Sequence, residues 1–471
     1  MAPSKQDLLR ALPSVESLLQ ETEAEWLALG APRRIVVECI RAAVEHARES
    51  LLSDTAGPPD EPSLRAAILA EVRERVGTAL RPHYRKVINA TGIVLHTALG
   101  RAVLPSRAIR QIQEELSGYS LVQVDVESGG RSKRDERIES LLRRLTGAEA
   151  ATVVNNNAAA TAIVLNTVAK GKEVIVSRGQ LVEIGGSFRL PEVMTAAGAK
   201  LVEVGSTNKT HLGDYEKAIT ENTAAILRVH PSNYKIVGFT AEVPLAELVK
   251  LAHAKGLIMI DDVGAGPLVD FSRFGFDKEP TLPESVETGA DLITSSADKL
   301  IGGPQGGIIL GRADLIQAIR KNPLARIVRV GKLTLAALEA TLTLFLDESL
   351  ALCEIPTLRM LCRPLGEIAE QAERIARAIA EQTAGTTVVV IDGFSQMGSG
   401  SLPGQDLPTR LVAIQSPSIE AGELALRLRR HQPPVFARVH KGQVLVDPRT
   451  LLDGEEPIVV QAFAQALPGT T

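Results

Sequence analysis

Between residues 87 and 340, short apolar runs rich in β-branched residues alternate with helical stretches. No other feature of the chain constrains its fold as strongly. The runs are AATVV (150–154), EVIVS (173–177), AKLVEVG (199–205), AAILRVH (224–230), GLIMIDD (256–262), ADLITSS (290–296) and GGIILG (306–311). They are continuously apolar rather than alternating, as strands buried on both faces must be. Helical patterns such as LAELVKLAHAKG lie between several of them. The combination predicts an α/β fold, with a mostly parallel central sheet covered by helices on both faces. Ligands of such sheets bind beyond the carboxyl ends of the strands, so the residues that follow each run are the candidates for chemistry.

The flanks differ from this middle. Residues 1–86 are helical in pattern, with apolar residues at three- and four-residue spacing in SVESLLQETEAEWLAL and APRRIVVECIRAAVEHARESLL. The Pro/Gly/Asp-rich stretch 53–63 is a linker between helices. Arg34, Arg41 and Arg48 recur along one helix face, either as a solvated stripe or as a phosphate-contacting ridge. LTLAALEATLTLFLDESLAL (333–352) predicts a long connecting helix. Beyond it two helical and two strand patterns, and a hairpin through Lys441-Gly442, predict a smaller α+β unit. Three domains are expected: 1–86 helical, 87–340 large and catalytic, 341–471 small.

The net charge of −4 and pI of about 6.1 announce no global affinity for nucleic acid, so any such contact needs a local patch. Cys39, Cys353 and Cys362 are odd in number and lack metal-ligand spacing, which suits reduced intracellular thiols. No apolar run approaches the ~20 residues of a membrane span, and the N-terminus has no apolar signal core. A cytoplasmic location is expected, with no membrane partner.

Three features fall at expected strand ends. Asp261 and Asp262 close GLIMIDD, Lys299 follows ADLITSSAD, and Asn155, Asn156 and Asn157 follow ATVV and open a helix. Singly, each has an ordinary reading: a turn cap, an exposed loop lysine, an N-cap cluster. Together they fit pyridoxal phosphate. Lys299 can form a Schiff base with its aldehyde, and Asp262 can keep its pyridine nitrogen protonated. The helix start at Asn156 and Asn157, followed by the small Ala158 and Ala159, can take its phosphate. The glycines after Lys299 allow backbone to approach a ring closely. Neither a Walker A sequence nor GxGxxG occurs, which disfavours nucleotide hydrolysis and dinucleotide binding.

Several long stretches carry a resemblance over nearly the whole chain. They include INATGIVLHTALGRA (88–102), VVNNNAAAT (153–161), SRGQLVEIGGSFRLPEVM (177–194), VHPSNYKIVGFT (229–240), DVGAGPLVDFSRFGFDKEPT (262–281) and DKLIGGPQGGIILG (298–311). In these the chain resembles the bacterial selenocysteine synthases, the L-seryl-tRNA(Sec) selenium transferases. That family belongs to the aspartate-aminotransferase-like (fold type I) pyridoxal phosphate enzymes. The resemblance implies Lys299 as the Schiff-base lysine, Asp298 as an acidic active-site neighbour and Asp262 as the partner of the pyridinium. It implies a selenophosphate site made by Arg101, Arg326 and Arg329, seryl-tRNA(Sec) as substrate, and an aminoacrylyl intermediate. It further implies tRNA recognition by residues 1–86 and a homodecamer built as a pentamer of dimers.

The chain departs from the family in small ways: DVGAGP where relatives read closer to DLGSGS, Ala297 where Gly is common, and Gly331 where an acidic residue is often seen. None removes a proposed catalytic group. The alternative is a related pyridoxal phosphate lyase acting on a small hydroxylated or phosphorylated amino acid. His96, His211, His230, His253, Glu183, Arg189, Arg438 and Arg449 carry no assigned step.

Overall fold

The computed structural model describes residues 9–53, 60–185 and 188–467, which form two compact units, Met1–Lys86 and Val87–Thr471. The first unit contains the helices Val15–Ala28, Arg33–Ser53 and Glu61–Leu80. Ser14 and Asp60 cap the first and third by accepting the N–H groups of Ser17 and Ser63. Residues 54–59 of the expected linker lie outside the described residues. Val36, Ile40, Ala43, Ala47 and Leu51 form one apolar stripe of the second helix. They pack with Leu18, Trp26, Ile68, Val72 and Val76 into a core confined to this unit. Of the arginine stripe, Arg34 pairs with Glu38 (2.9 Å) and Arg48 with Glu45 (2.5 Å), both along their own helix. Their exposure fits a solvated face.

In the second unit a seven-stranded sheet runs Ala150–Val154, Gly307–Gly311, Leu292–Ser296, Ile258–Gly264, Thr223–Val229, Glu173–Ser177, Lys200–Val204. Alternate residues of one strand enter different cores. Val174 and Val176 pack with the helix Asn157–Val168, whereas Ile175 packs with the helix Leu245–Ala254. Every strand but one is parallel to its neighbours. Gly307–Gly311 is antiparallel to both Leu292–Ser296 and Ala150–Val154. The turn that holds Lys299 is too short for the crossover a parallel pair needs, so the chain folds straight back.

A second sheet has five strands, in the order Ile88–Ala90, Val435–His440, Gln443–Val446, Leu407–Gln415, Thr387–Ser395. Ile88–Ala90, read from the sequence as the start of the large domain, pairs here with Val435–Ala437. The hairpin turns through Lys441 (φ 47°) and Gly442 (φ 77°), the pair of left-handed residues that a two-residue hairpin loop requires. The expected helix over 333–352 is broken. Lys332–Leu344 ends, and Asp347 caps a new helix, Glu348–Glu354, by accepting from the N–H groups of Ser349 and Leu350. Among the described residues no helix is long and apolar enough to cross a membrane.

Candidate active site

The carboxyl ends of three strands bring the candidate groups together. Asp262 lies near the end of Ile258–Gly264 and is in register with Thr294 of Leu292–Ser296. Lys299 sits in the turn just after that second strand, and Asn157 opens the helix that follows Ala150–Val154. Successive strand residues face opposite ways, and this separates the two aspartates. Asp261 accepts from Arg228 (2.8 Å) and Ser285 (2.7 Å), a structural pairing. Asp262 accepts instead from Asn157 Nδ2 (2.9 Å), Thr161 Oγ1 (3.1 Å) and the N–H of Gly264 (3.1 Å). Asn157 and Thr161 reach it together because residues four apart share a helix face. Thr161 was not singled out in the sequence, although that spacing could have revealed it.

Lys299, Asp298 and Asp262 are only 6%, 6% and 5% exposed. Burial pushes the Lys299 ammonium below its ordinary range. Asp262 and Asp298 oppose that shift, and Arg101 adds to it. Burial pushes the Asp262 carboxyl up, against the hydrogen bonds that favour its charged form. The Lys299 turn is closed by Ala297 N–H to the Gly306 carbonyl (2.8 Å) and Gly303 N–H to the Ala297 carbonyl (2.9 Å). Gly307 must lack a side chain, because a Cβ there would come 2.1 Å from the Asn156 carbonyl oxygen. Its glycine thus lets the returning strand press against the helix start. Asn156 caps that helix by accepting from the Ala159 N–H (2.8 Å). The first-turn N–H groups beyond it, Ala158 included, have no acceptor within the helix.

Arg101 Nη1 donates to Asp298 Oδ2 at 2.7 Å. Arg326 and Arg329 lie elsewhere, on and just after the short helix Leu324–Ile327. Arg329 forms a β-bridge with Val154, and the Asn155 N–H donates to the Val328 carbonyl (2.9 Å), so this segment lies against the helix start. Among the described residues no contact joins Arg101 to Arg326 or Arg329 within the chain.

The remaining residues divide clearly. The His230 N–H donates to the Asp262 carbonyl (2.9 Å), and its ring lies 2.5 Å from Glu279, so this pair borders the site. His96 precedes the Arg101 turn, and its Nδ1 is buried without a hydrogen-bond partner. His211 starts a helix, and His253 pairs with Asp291 (3.0 Å). Glu183 and Arg189 pair with each other on an exposed hairpin (2.7 Å). Arg438 and Arg449 belong to a network around the fully buried Asp447.

The residues fit pyridoxal phosphate. A buried amine with a lowered pKa, a buried carboxylate and an uncapped helix start face one place. Asn157 Oδ1 and Thr294 Oγ1, both buried there, have no hydrogen-bond partner.

Residues 87–452 match the family described as L-seryl-tRNA selenium transferase, and residues 9–48 match Selenocysteine synthase N terminal. The chain is 45% identical to the L-seryl-tRNA(Sec) selenium transferase of Alkaliphilus metalliredigens, over 98% of this chain and 99% of the relative. It is 47% identical to the enzyme of that name from Solidesulfovibrio magneticus, over 98% of each. Among solved structures, a D-glucosaminate-6-phosphate ammonia-lyase shares 23% identity and a TM-score of 0.55, covering 81% of this chain and 95% of that one. That likeness concerns the fold alone.

Proposed function

The chain belongs to the L-seryl-tRNA selenium transferase family, and on that premise we propose that it converts L-seryl-tRNA(Sec) to L-selenocysteinyl-tRNA(Sec) with pyridoxal phosphate and selenophosphate. The observation that carries the chemistry is a single one: the Lys299 amine is buried between the Asp262 and Asp298 carboxylates, at the mouth of a mostly parallel sheet.

When bound, pyridoxal phosphate joins the amine it holds and draws electrons from that amine's α-carbon. Lys299 would carry the cofactor, Asp262 would face its ring nitrogen, and the helix start at Asn156, Asn157 and Ala158 would take its phosphate. Burial favours the neutral amine of Lys299, the form that can accept a proton. Lys299 takes the α-proton of the seryl group and returns it after selenium has added at the β-carbon. Asp298 keeps the amine's pKa from falling further and anchors Arg101. The substrate's carboxyl group is esterified to tRNA, so no arginine is needed to hold an α-carboxylate. Arg101, Arg326 and Arg329 can serve the donor instead, because planar guanidinium groups grip phosphate-type oxygens in pairs.

The helical unit is read as the tRNA-recognising element, which would contact RNA shape and phosphate because A-form grooves hide base edges. A cytoplasmic homodecamer is inferred from the family. The separation of Arg101 from Arg326 and Arg329 within one chain is compatible with sites completed between subunits. The lyase alternative is not favoured, because the selenium transferases are similar over the whole length, helical unit included.

The test is turnover of seryl-tRNA(Sec) with selenophosphate by the full chain loaded with pyridoxal phosphate, followed by deacylation and analysis of the amino acid. Selenocysteine is expected, and Lys299→Ala should form none. Pyruvate and ammonia from free amino acids, with seryl-tRNA(Sec) untouched, would replace this reading with the lyase.

A further inference from the structure

Arg134 is not part of any strand-end pattern, yet it reaches the Arg326–Arg329 segment from far away in the sequence. Its Nε–H donates to the Val330 carbonyl at 3.1 Å, across 196 residues, and its Nη1 lies 3.4 Å from Gln123 Oε1. Val330 follows Arg329, whose backbone bridges Val154; two residues beyond Asn155 stands Asn157, which holds Asp262. Arg134 therefore sits on the segment that borders the active site.

The charge environment is unusual for this protein. Arg320 is held by Asp135 and Glu139, and Arg312 by Asp291 and Asp314. Among the described residues, Arg134, Arg326 and Arg329 make no ion pair with any carboxylate. Burial and the charges of Arg329 and Arg326 push the Arg134 guanidinium below its ordinary range. Guanidinium groups gathered without a counter-charge repel one another, and a multiply charged oxyanion relieves that repulsion. Arg134 also lines a cleft of about 1040 Å³, together with Arg110, Lys133 and Lys332, so a small anion can reach it.

We propose that Arg134 is a third member of the oxyanion-binding set, holding a small phosphate-type anion with Arg326 and Arg329 and fixing the backbone that carries Arg329. The inference rests on the reading of Arg326 and Arg329 as donor-binding residues.

The test compares Arg134→Gln, Arg134→Lys and Arg329→Gln in the full-length protein loaded with pyridoxal phosphate. Arg134→Gln should raise the KM for selenophosphate and the inhibition constant of inorganic phosphate about tenfold, the loss of one charge-assisted contact. The KM for seryl-tRNA(Sec) and the cofactor absorbance should not move. Arg134→Lys keeps the charge but loses the Nε–H donor, so it should fall between wild type and Arg134→Gln. If Arg134→Gln leaves both constants unchanged, or lowers kcat alone, while Arg329→Gln raises both, the inference is overturned and the donor reading stands. If Arg329→Gln also leaves both unchanged, the donor reading fails and takes this inference with it.

Discussion

Arg101 and Asp298 lie 197 residues apart in sequence and meet at 2.7 Å beside Lys299. The backbone of Arg101 takes a left-handed φ of 63°, uncommon for a residue with a side chain and a mark of a loop held by its surroundings. Asp298 therefore has two cations to answer, the guanidinium and the buried amine.

Asp298→Asn should shift the titration of Lys299 downward. Burial already holds that amine below its ordinary 10.5; Asp298 raises it and Arg101 lowers it. Removing the carboxylate leaves the lowering influences in place. Capture of pyridoxal phosphate by the cofactor-free chain needs the neutral amine, so its rate rises with pH through the pKa of Lys299. In the variant that rise should come at lower pH. A rise at the same or a higher pH would show that Asp298 does not act on Lys299.

Asp262→Asn should uncouple cofactor binding from stability. Burial raises the Asp262 pKa above its ordinary 3.8, so without cofactor the fold favours the protonated carboxyl. The stability this lends is complete below 3.8 and is lost as pH rises through the folded-state pKa. At neutral pH a cationic ring would supply the missing counter-charge. Pyridoxal phosphate should therefore stabilise the wild type more than Asp262→Asn, by about 1.5–3 kcal/mol. Turnover should fall about a hundredfold or more. Equal thermal shifts in the two proteins would exclude Asp262 as the ring's partner.

Gly92→Ala should destabilise the second unit without touching a reacting group. Gly92 has a φ of 72°, and a Cβ there would come 1.9 Å from Asp447 Oδ2. Asp447 is fully buried and accepts from Ser395 (2.7 Å), Thr409 (2.9 Å) and Arg438 (3.3 Å). Arg449 closes the network through Ser395 (3.0 Å) and the Met360 carbonyl (2.8 Å). Left-handed strain and a displaced buried carboxylate together should cost about 2–4 kcal/mol. Denaturant unfolding of the cofactor-free chain would measure this, and a loss under 1 kcal/mol would contradict the geometry.

The sheet was legible because its strands are buried on both faces, which writes each one as an unbroken apolar run. Direction was not, since GGIILG looks the same whether it runs with or against its neighbours. Ile88–Ala90 is three residues long, too short to show which sheet it joins. Lys299 and Asp262 stood out by following strands, and their residue types suggested the cofactor. Asp261 and Asp262 could not be told apart until strand alternation assigned each a face. Arg134 and the Arg101–Asp298 pair are long-range contacts, and no local pattern announces them.

Deletion of residues 1–86 should separate tRNA recognition from cofactor chemistry. Residues 1–86 are one compact unit, and its buried side chains, Leu18, Trp26, Ile40, Ile68 and Val76 among them, pack with one another. The cut must fall before Ile88, because Ile88–Ala90 is a strand of the five-stranded sheet and Asp447 N–H donates to the Ala90 carbonyl (2.9 Å). A protein beginning at Val87 should keep its cofactor absorbance and cofactor-dependent thermal shift. Its affinity for seryl-tRNA(Sec) in filter binding should drop about a hundredfold or more, as several phosphate contacts are lost at once. Deletion through residue 91 should instead lose the thermal shift as well, because it removes an edge strand. Undiminished tRNA affinity in the Val87 protein would move recognition out of the helical unit and onto the catalytic one.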